Sequence, residues 1–178
     1  MSTTNFARAR VHVQSNKRGL LAAALAVTVP ALAGCRSIAL SAAAGAAASS
    51  GTTYASDDDP QLVRDAVPFG LKTMEGLLAE KPKHVELLTA TAAGFTQYAY
   101  AFVQGDADLA DLDGKLDQAR AGRERARRLY LRAREYGLRG LDVRHRAMAD
   151  KLRAGLGQAR GALGEAERED VALLYWTA

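Results

Sequence analysis

The chain has 178 residues, with 24 Lys and Arg against 20 Asp and Glu and a single Cys. Four of the basic residues and none of the acidic ones lie in residues 1–34, so the remainder carries 20 of each sign, which excludes a general nucleic-acid-binding surface. One cysteine excludes an internal disulfide, and the residues after 34 suffice for one domain held by packing alone.

At the N-terminus Arg8, Arg10, Lys17 and Arg18 precede an apolar run over 19–29, then Pro30 and Leu32-Ala33-Gly34-Cys35. That is the charged, apolar and small-residue order of a secretory signal. The run is too short to span a bilayer, which takes about 20 residues. Small residues ahead of the cut suit the peptidase, and the thiol of Cys35 can be alkylated as a thioether, so 32–35 is a lipobox. Residues 1–34 are thus expected to be a lipoprotein signal peptide, with Cys35 the lipidated mature N-terminus. The plainer alternative is a cleaved signal followed by an unmodified cysteine. Several acyl chains, at about 0.8 kcal/mol per buried methylene, anchor a protein to a membrane surface without spanning it. Arg36, where an Asp retains some lipoproteins at the inner membrane, points to a periplasm-facing protein on the outer membrane.

Residues 35–56 are nearly all Ala, Gly, Ser and Thr and are expected to be a tether, part of it with enough alanine for a short helix. Residues 57–178 are expected to form the folded domain. Asp59 is placed to N-cap a helix with Pro60 at its first position. Leu62, Val63, Ala66, Val67, Gly70, Leu71, Met74, Leu77 and Leu78 then form one apolar stripe over about 20 residues, interrupted by Pro68. Lys81-Pro82-Lys83 makes a turn. A second helix is expected over 83–104, with Leu88, Ala92, Phe95, Ala99 and Phe102 on one face and Gly105 closing it. The acidic stretch 106–114 reads as a loop or one helical turn at solvent.

A third helix is expected over 115–136, with Leu116, Ala119, Gly122, Ala126, Tyr130 and Ala133 inward, arginines over most of the rest and Gly137 at its end. Residues 115–160 hold 14 basic and 5 acidic side chains, which serve either as a solvated outer face or as an anionic-ligand surface. Asp142 is placed to cap a fourth helix with Met148, Leu152 and Leu156, fraying where Gly155, Gly157, Gly161 and Gly164 accumulate. Glu165, Glu167, Glu169 and Asp170 suit the start of a fifth helix over 171–178. No stretch alternates with period two, so the fold class is all-α: antiparallel helical hairpins in a tetratricopeptide-like solenoid.

The segments Tyr54-Ala55-Ser56-Asp57-Asp58-Asp59-Pro60, Val67-Pro68-Phe69-Gly70 and Gly94-Phe95-Thr96-Gln97-Tyr98-Ala99-Tyr100-Ala101-Phe102-Val103-Gln104 resemble the T component of tripartite ATP-independent periplasmic (TRAP) transporters, the TatT family. Arg127-Arg128-Leu129-Tyr130-Leu131-Arg132-Ala133-Arg134, Tyr136-Gly137-Leu138-Arg139 and Leu174-Tyr175-Trp176-Thr177 extend the resemblance over most of 54–178. It implies a periplasm-facing lipoprotein that associates with the periplasmic solute-binding protein of a TRAP system, handles apolar or carboxylate ligands and is compatible with a homo-oligomer. It also implies further repeats beyond Thr177, so 57–178 is expected to be an incomplete, N-terminal part of the helical repeat domain.

Catalytic chemistry is not legible. His12 falls in the signal, while His84 and His145 have no partner at metal-ligand spacing and read as surface or capping residues. No nucleophile elbow or glycine-rich phosphate loop is present. The chain is expected to be no enzyme and to need no cofactor, metal or nucleic acid. The one candidate ligand or partner groove is the aromatic cluster Phe95, Tyr98, Tyr100 and Phe102. Either Phe95 and Phe102 fill the core with the tyrosines at its edge, or Tyr98 and Tyr100 line a groove. Two functions fit: an accessory scaffold of a solute uptake system, or a structural helical-repeat lipoprotein for envelope protein assembly.

Overall fold

Asp59 caps as its position before Pro60 predicts: its Oδ1 accepts the backbone N–H groups of Gln61 and Leu62 at 3.0 Å each. The structure is a computed structural model that describes residues 39–49, 54 and 56–178; the signal, the lipobox and Cys35 lie outside the described residues. Helix α1 spans 39–49 and α2 Pro60–Glu80. Helix α3, Val85–Tyr98, is capped by His84, whose Nδ1 accepts the Leu87 N–H at 3.3 Å. A π-helical segment, Ala99–Gln104, leads into α4, Gly105–Leu112. Then come α5 (Leu116–Arg144), α6 (Met148–Arg153), α7 (Leu156–Gly164), a 3-10 turn (Arg168–Asp170) and α8 (Val171–Thr177). Among the described residues there is no strand, so the domain is all-helical.

Several expected boundaries move, each for a tertiary reason. Gly105 does not close the second helix: its φ of −55° is helical, and the chain stays helical to Leu112. The acidic stretch expected at solvent is therefore helix α4, whose Ala107 and Ala110 are buried. A π turn takes one extra residue, which rotates everything after it by about 100°. Buried positions accordingly fall at Val103 and Ala107 rather than at Phe102. The following helix does not end at Gly137 but runs seven residues further. Gly137 and Gly140 instead let α8 approach: a Cβ at Gly137 would meet Thr177 Oγ1, and one at Gly140 would meet Leu173 Cδ2. The glycine-rich stretch expected to fray is helix α7, set off from α6 at Gly155, whose φ of +110° only glycine adopts readily. Asp142 does cap the preceding helix, but from within α5, its Oδ1 accepting the Ala149 N–H at 2.8 Å.

Packing departs from the simple stripes at their ends. Leu62, Leu116 and Leu156, expected inward, are 57, 54 and 92 % exposed. Ala44 of α1 is fully buried against Met74, Leu78, Leu87 and Leu88, so residues 39–49 of the expected tether are part of the folded body. A second cluster joins Val67, Leu71, Phe95 and Ala133, and a third joins Leu138, Leu141, Met148, Ala149, Ala162 and Leu173. Along α5 the buried residues Ala119, Ala126 and Ala133 recur every seven, a period that keeps one narrow face of small side chains against α3 and α4. Their size sets the close approach, since a Cβ at Gly122 would lie 2.6 Å from that of Ala107.

Candidate functional site

Between α2 and α3 the side chains are too small to fill the space. Gly70, Ala90, Ala93, Gly94 and Ala101 leave a cavity of about 540 Å³, of the size that takes small ligands. Ala48 of α1, Tyr54, Met74, Phe102 and, from α8, Trp176 complete its wall. None of the lining side chains is charged. The polar groups are the hydroxyls of Tyr54 and Tyr98, the amide of Gln97 and the indole N–H of Trp176. A wall of this kind takes apolar matter and offers it a few orienting hydrogen bonds.

The four aromatics singled out by sequence divide three ways. Phe95 is 4 % exposed, stacks on Tyr136 with ring centroids 6.0 Å apart, and belongs to the core. Tyr98 and Phe102 are half-buried, tilt against each other at 5.6 Å, and line the cavity together. Tyr100 is 68 % exposed and lines neither this cavity nor the second one described below. Phe102 is thus wall and not core, because the π turn that starts at Ala99 changes the phase of the helix; Tyr100 is not part of the groove, since five residues of helix already turn it about 140° away from Phe95.

Arginines fix the rim. Arg64 makes two bonds to Asp106, at 2.6 and 2.8 Å, and lays its guanidinium 5.1 Å from the Phe102 ring centroid. The Arg64 bond holds the Asp106 carboxyl below its ordinary value. Arg125 covers Tyr98 at 5.9 Å and Arg132 covers Phe95 at 5.0 Å. Behind the wall, Glu75 accepts from Lys72 at 2.6 Å, Tyr136 at 2.7 Å and Arg132 at 2.5 Å. Burial by itself would raise the Glu75 carboxyl, but these three donors hold it below its ordinary value. The network ties α2 to α5 and keeps the Tyr136 ring under Phe95.

A second cavity, also about 540 Å³, lies against α5 and α8. Arg123, Arg127, Tyr130 and Arg134 come from α5, Gln104 from the π segment, and Tyr175 and Trp176 from α8. Trp176 therefore belongs to both walls. Tyr130 donates its hydroxyl to Gln104 Oε1 at 2.8 Å. Burial raises the Tyr130 hydroxyl above its ordinary value, which keeps it a neutral donor.

Helix α8, and Trp176 with it, is seated by a polar clamp. Asp170 is fully buried; its Oδ2 meets His145 Nε2 at 2.6 Å and accepts the Glu167 N–H at 2.8 Å, while Oδ1 accepts from Arg144 Nε. Burial would raise this carboxyl, yet the backbone donor, His145 and Arg144 hold it below its ordinary value of 3.8. His145, expected at the surface, is thus a clamp residue with 14 % of its side chain exposed. His84 keeps its expected capping role.

Sequence reading missed Trp176, Gln97, Met74 and Tyr54 in the wall, and the whole Asp170 clamp. No local signal could find them, because Trp176 is brought from the last helix to the second and third. Among the described residues no group of three His, Cys, Asp or Glu could hold a metal, and no helix is long and apolar enough to cross a membrane. A family model described as TRAP transporter T-component matches residues 56–178, the greater part of the chain and all of α2 to α8. No curated protein matches the chain.

Proposed function

The chain belongs to the TRAP transporter T-component family, and from that premise we propose that it is a membrane-anchored accessory lipoprotein of a TRAP-type solute uptake system. In this reading Cys35 carries the lipid, the helical body faces the periplasm, and α2 with α3 forms the first of its tetratricopeptide-like antiparallel hairpins. The body binds the periplasmic solute receptor and accommodates apolar or carboxylate ligands; its role is binding, not catalysis. The observation that carries the ligand part is the uncharged cavity of about 540 Å³ between α2 and α3, walled by Tyr98, Phe102 and Trp176. Apolar surface left open to water in such a cavity gains about 25 cal/mol per Å² when a ligand or partner segment covers it.

Two measurements test the proposal. Full-length protein in membranes should retain the solute receptor of the same system in a pull-down, and loss of receptor capture across all conditions would favour a purely structural role. Separately, Cys35→Ser should move the protein from the membrane fraction to the soluble fraction and abolish palmitate labelling. A variant that still sediments with membranes and still labels would refute the lipid anchor.

A further inference from the structure

The cavity beside α5 has a chemistry that the apolar one lacks. Three of its lining side chains are arginines and none is a carboxylate. The three differ in what already neutralises them. Arg123 is bonded to Asp111 at 2.7 Å and to Asp108 at 3.1 Å, so its charge is spent. Arg127 reaches Glu124 only at 3.7 Å, and that carboxylate is shared with Arg128. For Arg134 no carboxylate lies within ion-pair reach among the described residues. Arg127 and Arg134 are seven residues apart on one helix, two turns on the same face and about 10 Å along the axis. Side chains of that length converge across such a gap on a single small group.

The surroundings give the rest of the ligand its character. Tyr130 and Leu131 lie between the two arginines, and Tyr130 holds the Gln104 carbonyl oxygen. This fixes the Gln104 amide and leaves its NH2 end as a further donor. Opposite stand Tyr175 and Trp176, edge to face with centroids 4.7 Å apart, and Ala126 forms the floor. Guanidinium forks match the oxygens of carboxylates and phosphates, and aromatic walls match an apolar or aromatic body.

We propose that this cavity is a binding site for a small organic anion, its carboxylate or phosphate head held by Arg127 and Arg134 and its apolar tail lying against Tyr175 and Trp176. The inference rests on the ligand-handling part of the function proposed above and gives that part a second, charged site. Receptor capture does not enter it.

Trp176 is the chain's single tryptophan, so its fluorescence reports on the site without a label. Full-length protein in detergent is titrated with phenylacetate, phenyl phosphate and the neutral isostere phenylacetamide. Saturable change with either anion, little with the amide, and weakening as salt rises are the expected results. Arg134→Gln and Arg127→Gln should each weaken the binding anion by about tenfold or more, as loss of a charge-assisted hydrogen bond does. Arg160→Gln, on the exposed face of α7, should leave it unchanged. Because Trp176 also faces the apolar cavity, the titration is repeated with that cavity saturated by a neutral apolar probe, which should leave the anion response in place. Equal response to the amide, failure of both anions to saturate, or unchanged affinity in Arg134→Gln with an unchanged melt would overturn the site. A positive pull-down with a failed titration would reject the anion site alone, and the reverse would reject only receptor binding.

Discussion

Replacing Asp170 by Ala should destabilise the helical body by about 3 kcal/mol. The substitution leaves the mostly buried ring of His145 and the backbone N–H of Glu167 without their acceptor, and leaves the Arg144 guanidinium only its 3.3 Å contact with Glu167. Breaking a buried pair costs about 3–5 kcal/mol, and the lower end applies because 27 % of the Arg144 side chain keeps its contact with water. The pH dependence has a definite sign. The carboxyl is held below its ordinary value of 3.8 in the folded state. Its contribution is therefore complete above that value and is lost as pH falls through the lower folded value. Denaturant melts of the wild type and Asp170→Asn should differ most near neutral pH, draw together as pH falls below 3.8, and converge only below the folded-state value, where both carry a neutral group at this position. A constant difference across that range would show that the charge of Asp170 does not seat α8. Because Trp176 rides on α8, the same variants should also alter tryptophan emission before global unfolding.

Phe95→Ala should cost about 3–5 kcal/mol and lower the melting temperature by about 10 °C or more. Its ring is 4 % exposed, packed with Val67, Leu71 and Ala133, stacked on Tyr136 and covered by Arg132. The neighbouring aromatics give a graded series on one helix. Tyr98→Ala and Phe102→Ala should each cost about 1–2 kcal/mol, the worth of one tilted ring pair and one arginine contact together with partial burial. Tyr100→Ala should stay within about 0.5 kcal/mol, as exposed substitutions do. Circular dichroism melts of the four variants, paired with capture of an apolar fluorescent probe, separate stability from binding. Probe binding should fall in Tyr98→Ala and Phe102→Ala at temperatures where both remain folded, and not in Tyr100→Ala. Binding lost only in proportion to unfolding in all four would reject the apolar cavity as a ligand site.

The sequence by itself determined what is local. Asp59 before Pro60 is a cap wherever the chain goes, because its carboxylate needs only the N–H groups two and three residues ahead. Period-3.6 apolar spacing likewise determined the all-helical class and the buried face formed by Val67, Leu71, Met74 and Leu78. Family-like segments between Tyr54 and Thr177 were legible because they are contiguous strings. Decisions that depend on distant residues were not legible. Gly137 is a helix stop by local propensity, but Thr177 arriving forty residues later needs its missing Cβ, and the helix continues through it. A π turn adds one residue per turn without any marker in composition, so the move of Phe102 from the core face shared with Phe95 to the cavity wall had to wait for the fold. Trp176 joins two cavities only because the Asp170 clamp brings α8 back onto α5. Propensity acts over a turn or two of helix, whereas a cavity is the space left when whole helices with side chains of different size are brought together, and that space is decided by tertiary structure alone.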